Sequence, residues 1–174
     1  YYNLIEPNET YAVLLITLST TIIGLSDSNG FGTITDNDGG YGNGVAINYV
    51  LGHEADSTVS LTTTLIRNVQ GGFTVDYATN DIAGQAVAGT DYTATSGTLT
   101  FVGNTTETQI FTVAITDDNL IEPSETYAVL LSNLSTTLIG ISDANGLGTI
   151  TENDGGDGNG VAINYVLGHE ADST

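Results

Sequence analysis

The chain has 174 residues, 21 of them acidic and only one basic, Arg67, for a formal charge of −20 with no Lys, Cys or Trp. That balance excludes nucleic acid and anionic membrane surfaces as partners, because both are bound through Lys and Arg that neutralise phosphate. The absence of Cys excludes a disulfide framework and a thiol nucleophile, and no apolar run is long enough to insert into a membrane; divalent cations are the partners such a field favours.

Taken from its start, the chain repeats itself. Residues 3–58, opening NLIEPNETYAVLL, recur 116 positions later as NLIEPSETYAVLL, identical at 47 of 56 positions and without an insertion. Solenoid units are shorter than this, so the period indicates a tandem array of whole domains. Residues 1–38 are then expected to be the last two strands of one unit. A Gly-rich linker follows at 39–44, a complete domain at 45–154, a second linker at 155–160, and the first strand of a further unit at 161–174. The chain reads as an excerpt of a continuous fibre, and Tyr11, Val13 and Leu15 are expected to lack the rest of their own sandwich.

Within the complete unit, alternating apolar segments run at 45–51, 57–67, 73–79, 97–101, 108–116, 126–133 and 146–151, rich in Thr, Val, Ile, Tyr and Phe with Gly, Asn and Asp between them. About seven strands in about 110 residues is the count of an all-β, antiparallel, immunoglobulin-like sandwich. The phase predicts inner faces of Val45, Ile47, Tyr49 and Leu51; Val59, Leu61 and Leu65; Phe73, Val75 and Tyr77; Leu99 and Phe101; Phe111, Val113 and Ile115; and Tyr127, Val129 and Leu131. That set is large enough for an independent core.

The runs DYATND, AGTDYTATSGTLTF, TQIFTVAITDDNLIEPSETYAVLLSN and GTITEND, in that order, resemble the Calx-β domain, a seven-stranded calcium-binding sandwich. The family occurs in the cytoplasmic loop of the sodium–calcium exchanger, in integrin β4 and in large bacterial surface proteins. The resemblance covers 45–154 as one unit and 3–38 as the tail of another. It implies metal ligands at Glu54 after the first strand, Asp81 closing the third-strand motif, Asp91 before the Tyr of GTDY, Asp117 and Asp118 after the fifth strand, and Asp154 at the end. Calcium-sensing members carry a further Glu after that Tyr and a third consecutive Asp, where this chain has TATS and Asn119. Fewer carboxylates imply fewer ions or weaker binding, around 10⁻⁴–10⁻³ M as in extracellular modules.

Strand topology leads to calcium by a separate route. With strands alternating up and down, the connections after the first, third, fifth and seventh emerge at one pole. They hold Glu54, Asp56, Asp81, Asp91, Asp117, Asp118, Glu122, Glu125, Glu152 and Asp154, against Glu107 and Asp143 at the other. Gathered like charges repel and raise one another's pKa values unless a cation sits among them. Ca²⁺, with six to eight oxygen ligands and tolerance of irregular loops, suits the set better than Mg²⁺.

Other motifs do not carry chemistry. GGYGNGVAI and GGDGNGVAI lack the Asp of a calcium β-roll, and DNDGG lacks the closing Glu of an EF-hand. His53 and His169 occupy one repeat position, with no Ser or Cys partner for nucleophilic catalysis, and without Trp no aromatic cleft for a glycosidase is indicated, so no enzyme is expected. Asn8, Asn104 and Asn133 begin glycosylation sequons of a kind frequent in Thr-rich sequence. The expected role is a structural repeat of a secreted or cell-surface bacterial filament or adhesin, stiffened by Ca²⁺ at its junctions. Its expected partners are identical repeats in the same or neighbouring chains and cell-surface or matrix ligands. The alternatives are a calcium-sensing regulatory module of a membrane transporter and the accessory domain of a polysaccharide-processing enzyme.

Overall fold

The computed structural model describes residues 4–16, 26–37 and 44–155. The expected linkers, apart from Gly44 and Gly155, and the expected strand at 161–174 lie outside these residues. The described residues form thirteen strands: β1 (Leu4–Ile5), β2 (Glu9–Leu14), β3 (Asn29–Ile34), β4 (Val45–Ile47), β5 (Tyr49–His53), β6 (Thr58–Leu65), β7 (Asn68–Val69), β8 (Phe73–Asp81), β9 (Ser96–Phe101), β10 (Thr108–Ala114), β11 (Glu125–Ser132), β12 (Ile141–Asp143) and β13 (Asn145–Thr151). A single 3₁₀ turn, Glu54–Asp56, interrupts them.

Two sheets enclose the core. One has the order β10-β6-β4-β12 and the other β5-β13-β11-β8-β9. Alternation along the strands sends Val59, Leu61, Leu65, Phe111 and Val113 from the first inward against Phe73, Val75, Leu99, Phe101, Tyr127, Val129 and Leu131 from the second, all in one buried cluster. Each side contributes every second residue because successive side chains of a strand point to opposite faces. The Tyr77 and Phe111 rings join the sheets, stacked with centroids 3.8 Å apart.

The expected first strand departs from its predicted phase. Val45 and Ile47 are buried, but Tyr49 and Leu51 are 63% and 65% exposed. At Asn48 the chain leaves one sheet for the other: β4 pairs antiparallel with β6, whereas β5 pairs with β13. Asn48 fixes the crossing, its N–H donating to the Thr62 carbonyl and its Oδ1 accepting the Thr62 N–H. One residue spent outside the ladder reverses the faces, so Gly52 is buried and Val50 packs against the core. The antiparallel expectation is corrected at the same place, since β5 with β13 and β4 with β12 run parallel.

The opposite pole from the acidic loops is closed by backbone. Gly103, at φ +100°, accepts the Val69 N–H at 2.8 Å on its carbonyl. A Cβ at Gly103 would lie 2.0 Å from the Val69 oxygen. Gly103→Ala is therefore expected to cost about 2 kcal/mol or more in denaturant unfolding, through both the left-handed φ and the clash.

The opening segment does two things. β2 and β3 form a hairpin in the register Glu9↔Ile34 to Leu14↔Asn29, and β11 with β13 has the same register 116 positions on, Glu125↔Ile150 to Leu130↔Asn145. Its apolar face is uncovered, with Tyr11 52% exposed where Tyr127 is 0% exposed. Before the hairpin, β1 pairs parallel with β7, and Ile5 joins the buried core cluster of the complete unit.

Candidate metal centre

The acidic pole is assembled from four connections. After β5 the chain turns at once into the 3₁₀ turn, which the Asp56 carboxylate closes by accepting the His53 N–H at 2.8 Å. This tight reversal tucks Glu54 inward, leaving it 8% exposed and one of the two buried polar side chains among the described residues. Opposite, the connection after β10 supplies Asp117, Asp118 and Glu122, the residues after β13 supply Glu152 and Asp154, and the connection after β8 supplies Asp91.

Carboxylate oxygens of Glu54, Asp118 and Glu122 lie within 4.8 Å of one another, and those of Glu54, Glu152 and Asp154 do likewise. Glu54 belongs to both groups. Beside them a small cleft is lined by Glu54, Asp91, Glu122, Pro123, Glu125, Ile150 and Glu152. Backbone N–H groups position the carboxylates: Leu120 donates to Asp118 at 2.6 Å, Val87 to Asp91 at 2.6 Å, and Glu122 to Glu152 at 2.5 Å. Glu152 also accepts from Asn153 and Asp154, so one carboxylate ties the end of the last strand to the loop after β10.

The residues singled out from sequence separate here. Glu54, Asp118 and Asp154 stand in the clusters, and Asp91 lines the cleft. Asp117 borders them, its Oδ1 held by the Asn153 side-chain amide at 3.2 Å. Asp81 is engaged elsewhere, accepting the Tyr92 hydroxyl at 2.6 Å and the Ala88 N–H at 2.9 Å. That pair of bonds holds the Asp81 carboxyl below its usual range, and burial together with the same contact pushes the Tyr92 phenol up. Two residues of the clusters, Glu122 and Glu152, fall outside the ligand set that resemblance supplied. Their signal is positional, since both lie on the pole loops within four residues of Asp118 or Asp154. His53 is turned to the Thr151 hydroxyl, 2.7 Å from its Nδ1.

Electrostatics mark the pole as crowded. Burial, then repulsion from Glu152, Asp118 and Asp117, raises the Glu54 carboxyl. Glu122 is raised by burial and by Asp91, Asp118 and Glu152; Glu125 by burial, Asp91 and Glu122; and Asp154 by burial, Glu152, Asp117 and Asp118. Glu152 is lowered, because the Asp154 and Glu122 N–H groups favour its charged form. The chain's single Lys or Arg residue, Arg67, lies between β6 and β7 rather than in any of these connections.

These shifts give a pH dependence with a definite sign. A raised carboxyl keeps its proton in the folded chain after the unfolded chain has released it, so stability falls as pH rises from the ordinary 4.5 of Glu54, Glu122 and Glu125 through their folded values. A lowered carboxyl such as Glu152 or Asp81 contributes stability above its ordinary value that is lost as pH falls through the folded one. In chelator, thermal unfolding between pH 3 and 8 is therefore expected to show its highest melting temperature at about pH 4–5. A melting temperature that climbs steadily to pH 8 would refute the crowding.

A cluster of hard carboxylate oxygen donors suits Ca²⁺. The comparisons with known proteins agree in fold. The family model of the Calx-beta domain matches residues 46–151. Among solved structures, the apo-form Calx CBD1 domain superposes with a TM-score of 0.55 at 22% identity, covering 63% of this chain and 98% of that one. CBD12 from CALX1.2 gives a TM-score of 0.56 at 23% identity over 63% of this chain and 45% of its own length. The calcium binding domain CBD12 of CALX1.1 gives 0.56 at 23% identity, over 63% of this chain and 44% of its own. No curated protein sequence matches the chain.

Proposed function

Because the chain belongs to the Calx-beta domain family, we propose that it is a structural repeat of a secreted or cell-surface filament or adhesin, with Ca²⁺ bound at the acidic pole stiffening the junction to the next unit. The observation that carries this is Glu54, a shielded carboxylate shared by two groups of three whose oxygens already lie at ligand spacing. Glu54, Asp118, Glu122, Glu152 and Asp154 are the proposed ligands, with Asp91 and Asp117 completing the shell. The ion supplies charge compensation and cross-links three connections. Because Glu152 and Asp154 immediately precede the Gly-rich segment, an ion there restrains the direction in which the chain leaves the unit.

Near-identity of the two copies favours the filament: a string of like units spaces and adheres by number, whereas domains with divided regulatory roles diverge. The likeness in fold to CBD12 of CALX1.1, a calcium binding domain, supports the second reading, a calcium-sensing module of a membrane transporter. Under either reading the site is one of binding, its carboxylates positioned by backbone N–H groups to share an ion. The proposed partners are further repeats of the same kind and surface or matrix ligands, in an extracellular setting.

Small-angle scattering of a tandem of two complete 116-residue repeats tests the proposal. In millimolar calcium the distance distribution is expected to lengthen and narrow relative to chelator, with both units folded in each. Superimposable curves in the two conditions would defeat the stiffening role.

A further inference from the structure

The pentapeptide Asn-Leu-Ile-Glu-Pro occurs twice, at 3–7 and 119–123, in two different environments. At the first site Leu4 and Ile5 pair parallel with Asn68 and Val69 of the complete unit. The Ile5 carbonyl accepts the Gln70 N–H at 2.8 Å, and Ile5 is 1% exposed. At the second site Leu120 and Ile121 project into solvent at 59% and 57% exposure. Ile5 thus closes the core of the complete unit at its far pole, whereas its repeat equivalent Ile121 stands uncovered on the acidic pole of that unit.

We propose that this Leu-Ile pair is the plug that joins consecutive repeats: the acidic-pole loop of each unit inserts its Ile into the β7 edge at the opposite pole of the following unit. The occupant of the exposed 120–121 tip is accordingly the Asn68–Gln70 edge of a following repeat. Three observations support this. The receiving edge is preformed, since Val69 donates to the Gly103 carbonyl and Asn68 accepts the Thr105 N–H within the unit. The poles meet in the right sense, because the chain leaves a unit at its acidic pole and enters the next at the far one. The plug is also held in shape by the metal cluster itself, Leu120 donating to Asp118 on one side and Glu122 to Glu152 on the other. Calcium capture at Asp118 and Glu122 would fix the loop that carries the plug.

The inference rests on the reading of the chain as a string of repeats, but the plug needs no ion, so its tests run in chelator. In the full chain, Ile5→Asp should accelerate amide exchange at Gln70 by roughly tenfold or more, through loss of one hydrogen bond's local stability, while the β2–β3 hairpin amides keep their rates. Unchanged exchange at Gln70 would overturn the seating of Ile5. In a two-repeat tandem, Ile121→Asp should broaden the interdomain distance distribution in scattering. Ile110→Asp, at a residue 63% exposed on β10, is the control and should not. Since Ile121 is exposed, the neutral Ile121→Asn, which adds no carboxylate to the crowded pole, should leave melting of the single chain unchanged while broadening the tandem's distance distribution as Ile121→Asp does. Identical scattering for the Ile121→Asp and unaltered tandems would overturn the plug. Calcium titration of the same tandem separates the two readings: retained calcium affinity with no effect of Ile121→Asp sinks the plug alone, and an effect of Ile121→Asp without calcium affinity sinks the metal site alone.

Discussion

Glu54→Gln will raise the melting temperature in chelator at neutral pH and remove most of the stabilisation that calcium brings. Without an ion, Glu54 is a shielded charge beside Glu152, Asp118 and Asp117, and replacing it by a neutral isostere relieves both burial and repulsion. With an ion, the same residue is the ligand common to both groups of three, so its loss weakens every arrangement at once. A ligand that binds only the folded state stabilises by RT ln(1 + [L]/Kd), about 2.7 kcal/mol at a hundredfold excess over Kd. For a unit of this size that is on the order of 10 °C. Asp118→Asn should behave alike, with a smaller rise in chelator because it belongs to one group only. Differential scanning calorimetry in calcium and in chelator reads both effects. A Glu54→Gln chain that melts lower in chelator and still gains the full increment from calcium would rule out the site.

The second large effect is a contrast between twins. Tyr127→Ala is expected to destabilise the complete unit by about 3–5 kcal/mol, the cost of deleting a buried aromatic ring. Tyr127 is 0% exposed, stacks on Tyr92 with centroids 4.5 Å apart, and covers Gly148, where a Cβ would sit 2.2 Å from its ring. Tyr11 covers Gly32 in the same way, yet 52% of it faces solvent. Tyr11→Ala should leave the unfolding of the unit unchanged. Tyr127→Phe adds a finer check: the phenol is buried without a hydrogen-bond partner, which pushes its pKa up to about 12, so removing the hydroxyl should be neutral or stabilising. Equal losses for Tyr11→Ala and Tyr127→Ala in urea unfolding would contradict the environments described.

Much of this was legible in the residues, for reasons that differ by element. Strands β6, β8, β9, β10 and β11 alternate strictly, so Val59, Val75, Leu99, Val113 and Val129 could be placed inward from period alone. Tyr49 and Leu51 could not, because their phase depends on a sheet change at Asn48 made by bonds to Thr62, fourteen residues away. At the acidic pole, loop order was enough to gather the carboxylates. It was not enough to rank them: Asp81 is drawn off by Tyr92 and Ala88, and Glu122 and Glu152, outside the ligand set the resemblance implied, are joined by a hydrogen bond across 30 residues. The seating of Ile5 was invisible for a related reason. Nothing local distinguishes it from Ile121; the difference lies wholly in what stands opposite.

The hairpin of β2 and β3 bears on how such a chain acquires its structure. It keeps the register of β11 and β13 although, among the described residues, no second sheet covers it, so its cross-strand pairs hold that register without a core beneath them. Local contacts of this kind form in microseconds, before the distant pairings of a sandwich. In a chain whose copies agree at 47 of 56 positions, an early hairpin meets two nearly equivalent docking sheets, its own and a neighbour's. Exchange of hairpins between repeats is then the characteristic misfolding route. Differences such as Phe31 against Leu147 and Ile16 against Ser132 bear on whether each hairpin returns to its own unit.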